Sequence, residues 1–188
     1  MPATAARTLT FTPEEYFEWE TTQEVRHEYH FGEVFPTPGG TFAHATVSLN
    51  LGSALLVALR GSNCRPVSND MRVEVLAGGQ YVYPDVTVYC GEPAFVNDRK
   101  MTLVNPAVVC EVLSPDTRAY DLGEKLALYR GVPSIQTVLY ADPDRRWAQL
   151  ARRTETTWVR DEPVTEGPVE IGALGVALDL ADLYAGLG

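Results

Sequence analysis

Basic residues are scarce in this chain. Only 15 Lys and Arg stand against 25 Asp and Glu, and the net charge is −10. That balance counts against unaided nucleic-acid binding, because affinity for phosphates is built on Lys and Arg. Divalent cations or a local basic rim can still offset a negative body. Cysteine is nearly missing too. Cys64, Cys90 and Cys110 form no CxxC pair, which argues against a zinc ribbon, and so odd and widely spaced a set argues against a disulfide framework. Cys110 lies in the apolar run Ala107 to Leu113 and reads as a small buried hydrophobe. No apolar run approaches the ~20 residues needed to span a bilayer. The stretch Met1 to Thr10 lacks the apolar segment of a signal peptide, so the expectation is a cytoplasmic protein with no membrane partner. Repeats, low-complexity tracts and linkers are absent as well. With 188 residues, 45% of them hydrophobic, the chain reads as one domain with a sizeable core.

The punctuation along the chain predicts an α/β protein. Thr12-Pro13-Glu14-Glu15 carries an N-cap Thr, Pro at N1 and Glu at N3, and starts a short helix to about Glu20. Val25 to Phe35 reads as a hairpin turning at Phe31-Gly32, and Thr37 to Gly40 as a loop. His44 to Arg60 is the clearest helix, with Val47, Leu51, Leu55, Ala58 and Leu59 on one face. One strand is expected over Val67 to Leu76, a turn at Ala77 to Gln80, and a returning strand over Tyr81 to Tyr89. Ala107 to Leu113 is almost wholly apolar, as a central strand covered on both faces should be. A helix follows to Arg130, then strands at Ile135 to Ala141 and Trp147 to Arg152, a further short strand near Thr157 to Arg160, and a terminal helix at Leu180 to Ala185. This order suggests a mixed sheet flanked by helices.

Two carboxylates stand out. Pro84-Asp85 falls in the middle of an expected strand, where proline removes a ladder donor, so the backbone should bend where Asp85 projects. Glu111 stands inside Val108-Val109-Cys110-Glu111-Val112-Leu113. An unpaired carboxylate there costs several kcal/mol, so it needs a cation or a shifted pKa; a structural ion pair with an arginine is the competing account. Two carboxylates converging on one spot suit Mg2+ or Mn2+, hard cations that take one or two carboxylates plus substrate phosphate. Lys125 shares a helical stripe with Leu122, Leu126 and Tyr129. If Asp121 is the N-cap and Glu124 closes a capping box, Lys125 lies in the first turn. Its stem can pack while its ammonium reaches the acids, or it can snorkel to solvent. On that geometry Lys125→Met should leave stability nearly unaltered. His44 opens its helix on the stripe of Val47, Ser48 and Leu51, and the helix N-terminus favours a neutral imidazole. Asp70 is a further candidate ligand, with a salt bridge to Arg72 or Arg118 as the alternative. Glu33, in the N-terminal hairpin, is a candidate rim residue.

The stretches TPEEYFEWE, HEYHFGEVFPTPGGTFAHA, SNDMRVEV, YVYPDVTVYCG, NPAVVCEVLSPDTRAYDLGEKLALYR and VPSIQTVLYADPD run in order from Thr12 to Asp144. As a set they resemble the Uma-two family of restriction-endonuclease-like proteins, within the PD-(D/E)XK nuclease superfamily. The resemblance implies a restriction-endonuclease-like core at about 44–152, an N-terminal helix and hairpin at 10–40, and a C-terminal strand and helix extension at 153–188, all in one nuclease-fold domain. Pro84-Asp85 matches the PD element and Glu111 the acid of the third strand. The superfamily lysine should stand two places after the acid, where this chain has Leu113; the resemblance implies that Lys125 replaces it from the following helix.

The implied activity is hydrolysis of DNA phosphodiester bonds. Asp85 and Glu111 would bind Mg2+ or Mn2+, with the carbonyl of Val112 completing the shell, and Lys125 would act on the water or the developing charge. Cutting both strands of a duplex calls for two sites, hence a homodimer, with the edge strands and Tyr16, Phe17 and Trp19 as candidate contact surfaces. Two other readings compete. One is a non-catalytic binding or scaffold protein on a nuclease fold, favoured by the charge and by Leu113. The other is a metal-dependent hydrolase of small phosphate esters.

Overall fold

The computed structural model describes residues 10–37 and 39–187. Helix α1 (Pro13–Glu20) begins with the capping box expected of its sequence: Thr12 Oγ1 accepts from the Glu15 amide, and Glu15 reaches back to the Thr12 amide. Strands β1 (Arg26–His30) and β2 (Glu33–Thr37) form the expected hairpin. Its turn places Phe31 and Gly32 at φ 48° and 99°. Helix α2 (Phe42–Ala58) is capped by Thr41, so His44 is its third residue rather than its opening one.

The two long strands expected at Val67 to Leu76 and Tyr81 to Tyr89 are each broken. The first is β3 (Cys64–Ser68) and β4 (Arg72–Leu76); the second is β5 (Gln80–Val82) and β6 (Val86–Cys90). β4 and β5 pair with each other in one sheet, and β3 and β6 in another. The hairpin is thus folded over at its waist, where Ser68 to Met71 turns opposite Tyr83-Pro84-Asp85. Pro84, which cannot donate to a ladder, sits in the crossover between sheets and not in a strand interior. Alternation therefore does not carry from Tyr83 to Thr87 through Asp85.

Strand β7 (Thr102–Leu103) adds to β4 in parallel. β8 (Pro106–Val112) is the buried central strand. It is followed by α3 (Arg118–Tyr120), a π-helical turn (Asp121–Lys125) and α4 (Leu126–Gly131). The helical stretch starts three residues before Asp121. Asp121 is therefore inside it and is no N-cap, and its carboxylate instead accepts a 2.6 Å hydrogen bond from the Thr117 hydroxyl. Strands β9 (Thr137–Ala141), β10 (Ala148–Arg153) and β11 (Trp158–Arg160) follow as expected. The hairpin of β12 (Pro168–Ile171) and β13 (Val176–Asp179) and then α5 (Leu180–Leu183) close the described chain. That last hairpin was not anticipated.

A five-stranded sheet runs β2-β1-β5-β4-β7 and a six-stranded sheet runs β11-β10-β9-β8-β6-β3, with β8 and β9 parallel. The six-stranded sheet is covered on both faces, which is why β8 is apolar throughout. Val108, Cys110 and Val112 face α2, packing with Val47, Leu51 and Leu55. Val109 and Leu113 face the other way, toward Leu126 and Tyr129 of α4. Glu111 shares that second face by strand alternation. Tyr16, Phe17, Tyr29 and Tyr81 make a separate aromatic core under α1. Tyr16 and Phe17 are consumed there, so they are not the contact surface expected of them. No helix of the described residues is long and apolar enough to cross a membrane.

Cys64 and Cys90 stand directly opposite each other on β3 and β6 and form a disulfide. This corrects the reading of three independent cysteines: spacing in sequence hid a cross-strand pair. Cys110 is free and buried, as expected, and burial pushes its thiol pKa up. Thiol titration of the denatured, unreduced protein is expected to find a single thiol, and all three only after reduction. Three thiols before reduction would show that the bridge is absent.

Candidate active site

Three elements from distant parts of the sequence meet at the C-terminal end of β8. Asp85 leaves the crossover just before β6, which pairs with β8 at Val86 and Cys110. One carboxylate oxygen, Oδ2, accepts a 2.8 Å hydrogen bond from the Val112 amide and lies 3.5 Å from His44 Nε2. Its other oxygen is 3.5 Å from the Ser48 hydroxyl. α2 thus presents His44 and Ser48, one turn apart, to Asp85. The hydrogen bond to Asp85 raises the His44 pKa, with burial opposing and the charge of Asp85 adding to it. The local dipole argument for a neutral imidazole is outweighed by this contact.

Glu111 is buried. Lys125 Nζ lies 2.9 Å from its Oε1, and the Tyr129 hydroxyl donates to the same oxygen. The competing account expected an arginine partner; the partner is Lys125. The π-helical turn, a feature that recurs at functional sites, carries both Asp121 and Lys125 into the interior, and Lys125 keeps only 7% of its side chain exposed. Its ammonium is shared. Glu28 Oε1 of β1 is 3.1 Å away and Asp121 Oδ1 3.8 Å.

One lysine therefore serves three buried carboxylates, and they do not share it equally. Burial alone would raise the Glu28 pKa. Lys125, His30 and the Tyr83 amide overturn that and hold it at about 2. Glu111 goes the other way: burial, only partly offset by Lys125, combines with the charges of Asp121 and Asp85 to push it up to about 8. Lys125 itself stays protonated, because Glu111, Glu28 and Asp121 outweigh the desolvation that would lower it. Three carboxylates outnumber the one ammonium, and the proton that relieves the excess is held on Glu111.

This is the observation against which a metal can be tested. Asp85 and Glu111 are hard oxygen donors at one strand end with more negative charge than Lys125 neutralises, and that fits Mg2+ or Mn2+. Among the described residues no three or more His, Cys, Asp or Glu side chains are grouped as a ready-made cage. A magnesium-type ion, which keeps waters and substrate oxygens in its shell, asks for no more than one or two such carboxylates. The Val112 amide is already given to Asp85, and the His44 ring hydrogen-bonds to its backbone.

The family described as "Uma2: Putative restriction endonuclease" matches residues 13–181. The chain belongs to the Uma2 family. The protein slr1290 of Synechocystis sp. is 31% identical over 179 residues, covering 94% of this chain and 92% of its own length. A second protein of the same organism, sll1609, is 31% identical over 137 residues, covering 73% and 77%. Among solved structures, one from Anabaena variabilis ATCC 29413, described as "a putative nuclease belonging to DUF820", superposes with a TM-score of 0.72 at 19% identity, over 93% of this chain and 97% of that one. At that identity the likeness establishes the fold.

In this Uma2 member the other candidates from sequence do not join the cluster. Asp70 is 77% exposed and pairs with Arg26 at the surface, not with Arg72 or Arg118. Its turn lies at the waist of the folded hairpin, pointing to solvent. Glu33 is exposed in the β1–β2 hairpin. The acid that hairpin contributes is Glu28, five residues earlier, which the sequence reading passed over. Its neighbour His30 lies 3.6 Å from Glu28 Oε2 and 3.3 Å from both the Tyr120 hydroxyl and Gln80 Nε2. Nothing local marks Glu28, because its partner is 97 residues away in sequence (125 − 28).

Proposed function

We propose that this chain is a metal-dependent endonuclease of PD-(D/E)XK type that hydrolyses phosphodiester bonds of DNA. The observation that carries the reading is the Lys125 ammonium 2.9 Å from Glu111; in this reading it does the work of the lysine that Leu113 replaces. Asp85 and Glu111, with the Val112 backbone beside them, would hold Mg2+ or Mn2+. When bound, such an ion supplies a water acidified toward neutral pH and neutralises charge on the phosphate. Lys125 places a fixed positive charge where the reacting phosphate gains negative charge. Glu28 and Asp121 hold that ammonium in position, and His44 and the Val112 amide fix the carboxylate plane of Asp85.

The net charge of −10 leaves contact with a nucleic-acid backbone to local cations. Arg118 and Arg145 both reach Asp142 at 2.8 Å and both stack on Trp147. Both gather on Asp142, the residue after β9, whose Ala141 pairs with Val112 of β8. Cutting two strands requires two sites, so the working unit in this reading is a homodimer.

Nicking of supercoiled plasmid with Mn2+ or Mg2+ tests the reading. Wild-type protein is expected to cleave, and Glu111→Ala and Asp85→Ala to lose at least ~100-fold, the scale of one lost charge-stabilising contact. Equal cleavage by Glu111→Ala would assign the activity to a contaminant. Hydrolysis of a small phosphodiester without DNA cleavage would move the substrate away from nucleic acid.

A further inference from the structure

Helix α2 is not amphipathic: its outer face carries apolar side chains too. Val47, Leu51 and Leu55 are fully buried on the inner face. On the outer face Phe42 is 78% exposed, Leu49 70% and Leu56 54%, with Val57 beside them. These three positions are seven residues apart, two helical turns, so they fall on one stripe. Exposed Ala45 and Ser53 lie between them, small enough to let another helix approach closely. No Asp, Glu, Lys or Arg occurs from Phe42 to Leu59. In a chain of charge −10 this is a face on which two copies can meet without repulsion.

The stripe is also self-complementary. Phe42 and Leu56 are equidistant from Leu49, seven residues on either side. An antiparallel pairing about a twofold axis at Leu49 sets Leu49 on its own copy and Phe42 on the copy's Leu56, and an isologous interface requires this reciprocity. Beside Leu56 is a shallow cleft of about 320 Å³ lined by Leu56, Leu59, Arg60, Gly61, Arg65 and Pro66. In the antiparallel register it receives the exposed Phe42 ring of the other copy. We infer that the outer face of α2 is the self-association surface of this protein, with a second copy of the chain packed antiparallel on Phe42, Leu49 and Leu56.

The inference deepens the homodimer part of the proposed function and rests on that part alone. It is read as mass without DNA, so a protein inactive on plasmid can still satisfy it. A 17-residue helix about 25 Å long offers less than the ~800 Å² per partner of a standard interface. Association is therefore expected in the micromolar range, and light scattering or sedimentation should reach about 100 μM. Wild type should form a dimer there and Leu49→Asp a monomer with a nearly unchanged melting temperature, since Leu49 is 70% exposed. Leu49→Cys should crosslink to its own copy on oxidation. The double variant Phe42→Cys, Leu56→Cys should crosslink as well, and Phe42→Cys alone should not. A monomeric wild type, or a dimer that Leu49→Asp leaves intact, overturns the proposal. Crosslinking through Phe42→Cys alone overturns the antiparallel register.

Discussion

Lys125→Met is expected to lose cleavage by about 10²–10³-fold, the scale for one lost charge contact at a reacting group, and to lose stability as well. The second effect reverses what the sequence pattern suggests. A lysine at the edge of an apolar stripe should tolerate methionine, which keeps the stem. This lysine, however, is buried among Glu28, Glu111 and Asp121. Removing the cation of a buried pair leaves its partners uncompensated, which costs about 3–5 kcal/mol. The lower end applies here, because Glu111, already pushed up to about 8, can relieve part of the repulsion by keeping its proton. The melting temperature should therefore fall by on the order of 10 °C at neutral pH. The activity loss must be measured well below the variant's own transition. Metal affinity should change less than in Asp85→Ala, because the ammonium is no ligand. A variant that is destabilised yet cleaves at the wild-type rate would make Lys125 a structural partner, and His44 would be the next group to test.

What could be read from the sequence divides along a physical line. Elements defined by their own residues were legible: the Thr12–Glu15 capping box, the Phe31-Gly32 turn, the inner stripe of α2 and the wholly apolar β8. Glu111 was conspicuous because a carboxylate in such a strand violates a local rule. Lengths of strands were not legible, because the waist of the hairpin at Ser68 to Met71 and Tyr83 to Asp85 is a tertiary event. Only the assembly of two sheets breaks each strand in two. Glu28 and the Cys64–Cys90 bridge escaped for the same reason. Each depends on a partner brought near by register, and Cys64 looks no different from Cys110 until β3 lies on β6. The start of the helix at Arg118 was missed because Asp121 with Glu124 imitates a capping box. In the structure Thr117 takes the position before the helix, and Asp121 turns inward to Lys125.

The metal-free protein is expected to lose stability between pH 5 and 8, and a divalent ion is expected to restore it most at the alkaline end. Glu111 has its pKa raised from 4.5 to about 8, chiefly by burial. The folded state therefore holds this proton more tightly than the unfolded chain does. Its stabilising contribution is full below about pH 4.5 and disappears as pH rises through about 8. Asp121 and His44, both raised, act in the same sense. Glu28 acts oppositely: held at about 2, it adds stability above pH 4.5 that is lost only in strong acid, below the window of interest. At about 1.4 kcal/mol per pKa unit, the Glu111 contribution alone is on the order of a few kcal/mol across that window. A cation bound by Asp85 and Glu111 must displace the Glu111 proton, so binding should tighten with pH and release close to one proton near pH 6.5. Mn2+ should then raise the melting temperature more at pH 8 than at pH 6. Calorimetry in buffers of different ionisation enthalpy should report the released proton. Glu111→Gln keeps the shape and removes the titration. It should flatten most of the pH slope, abolish the response to Mn2+, and leave stability at pH 6 near that of wild type. A Glu111→Gln protein with the wild-type slope and the wild-type Mn2+ response would place both the titrating group and the cation elsewhere.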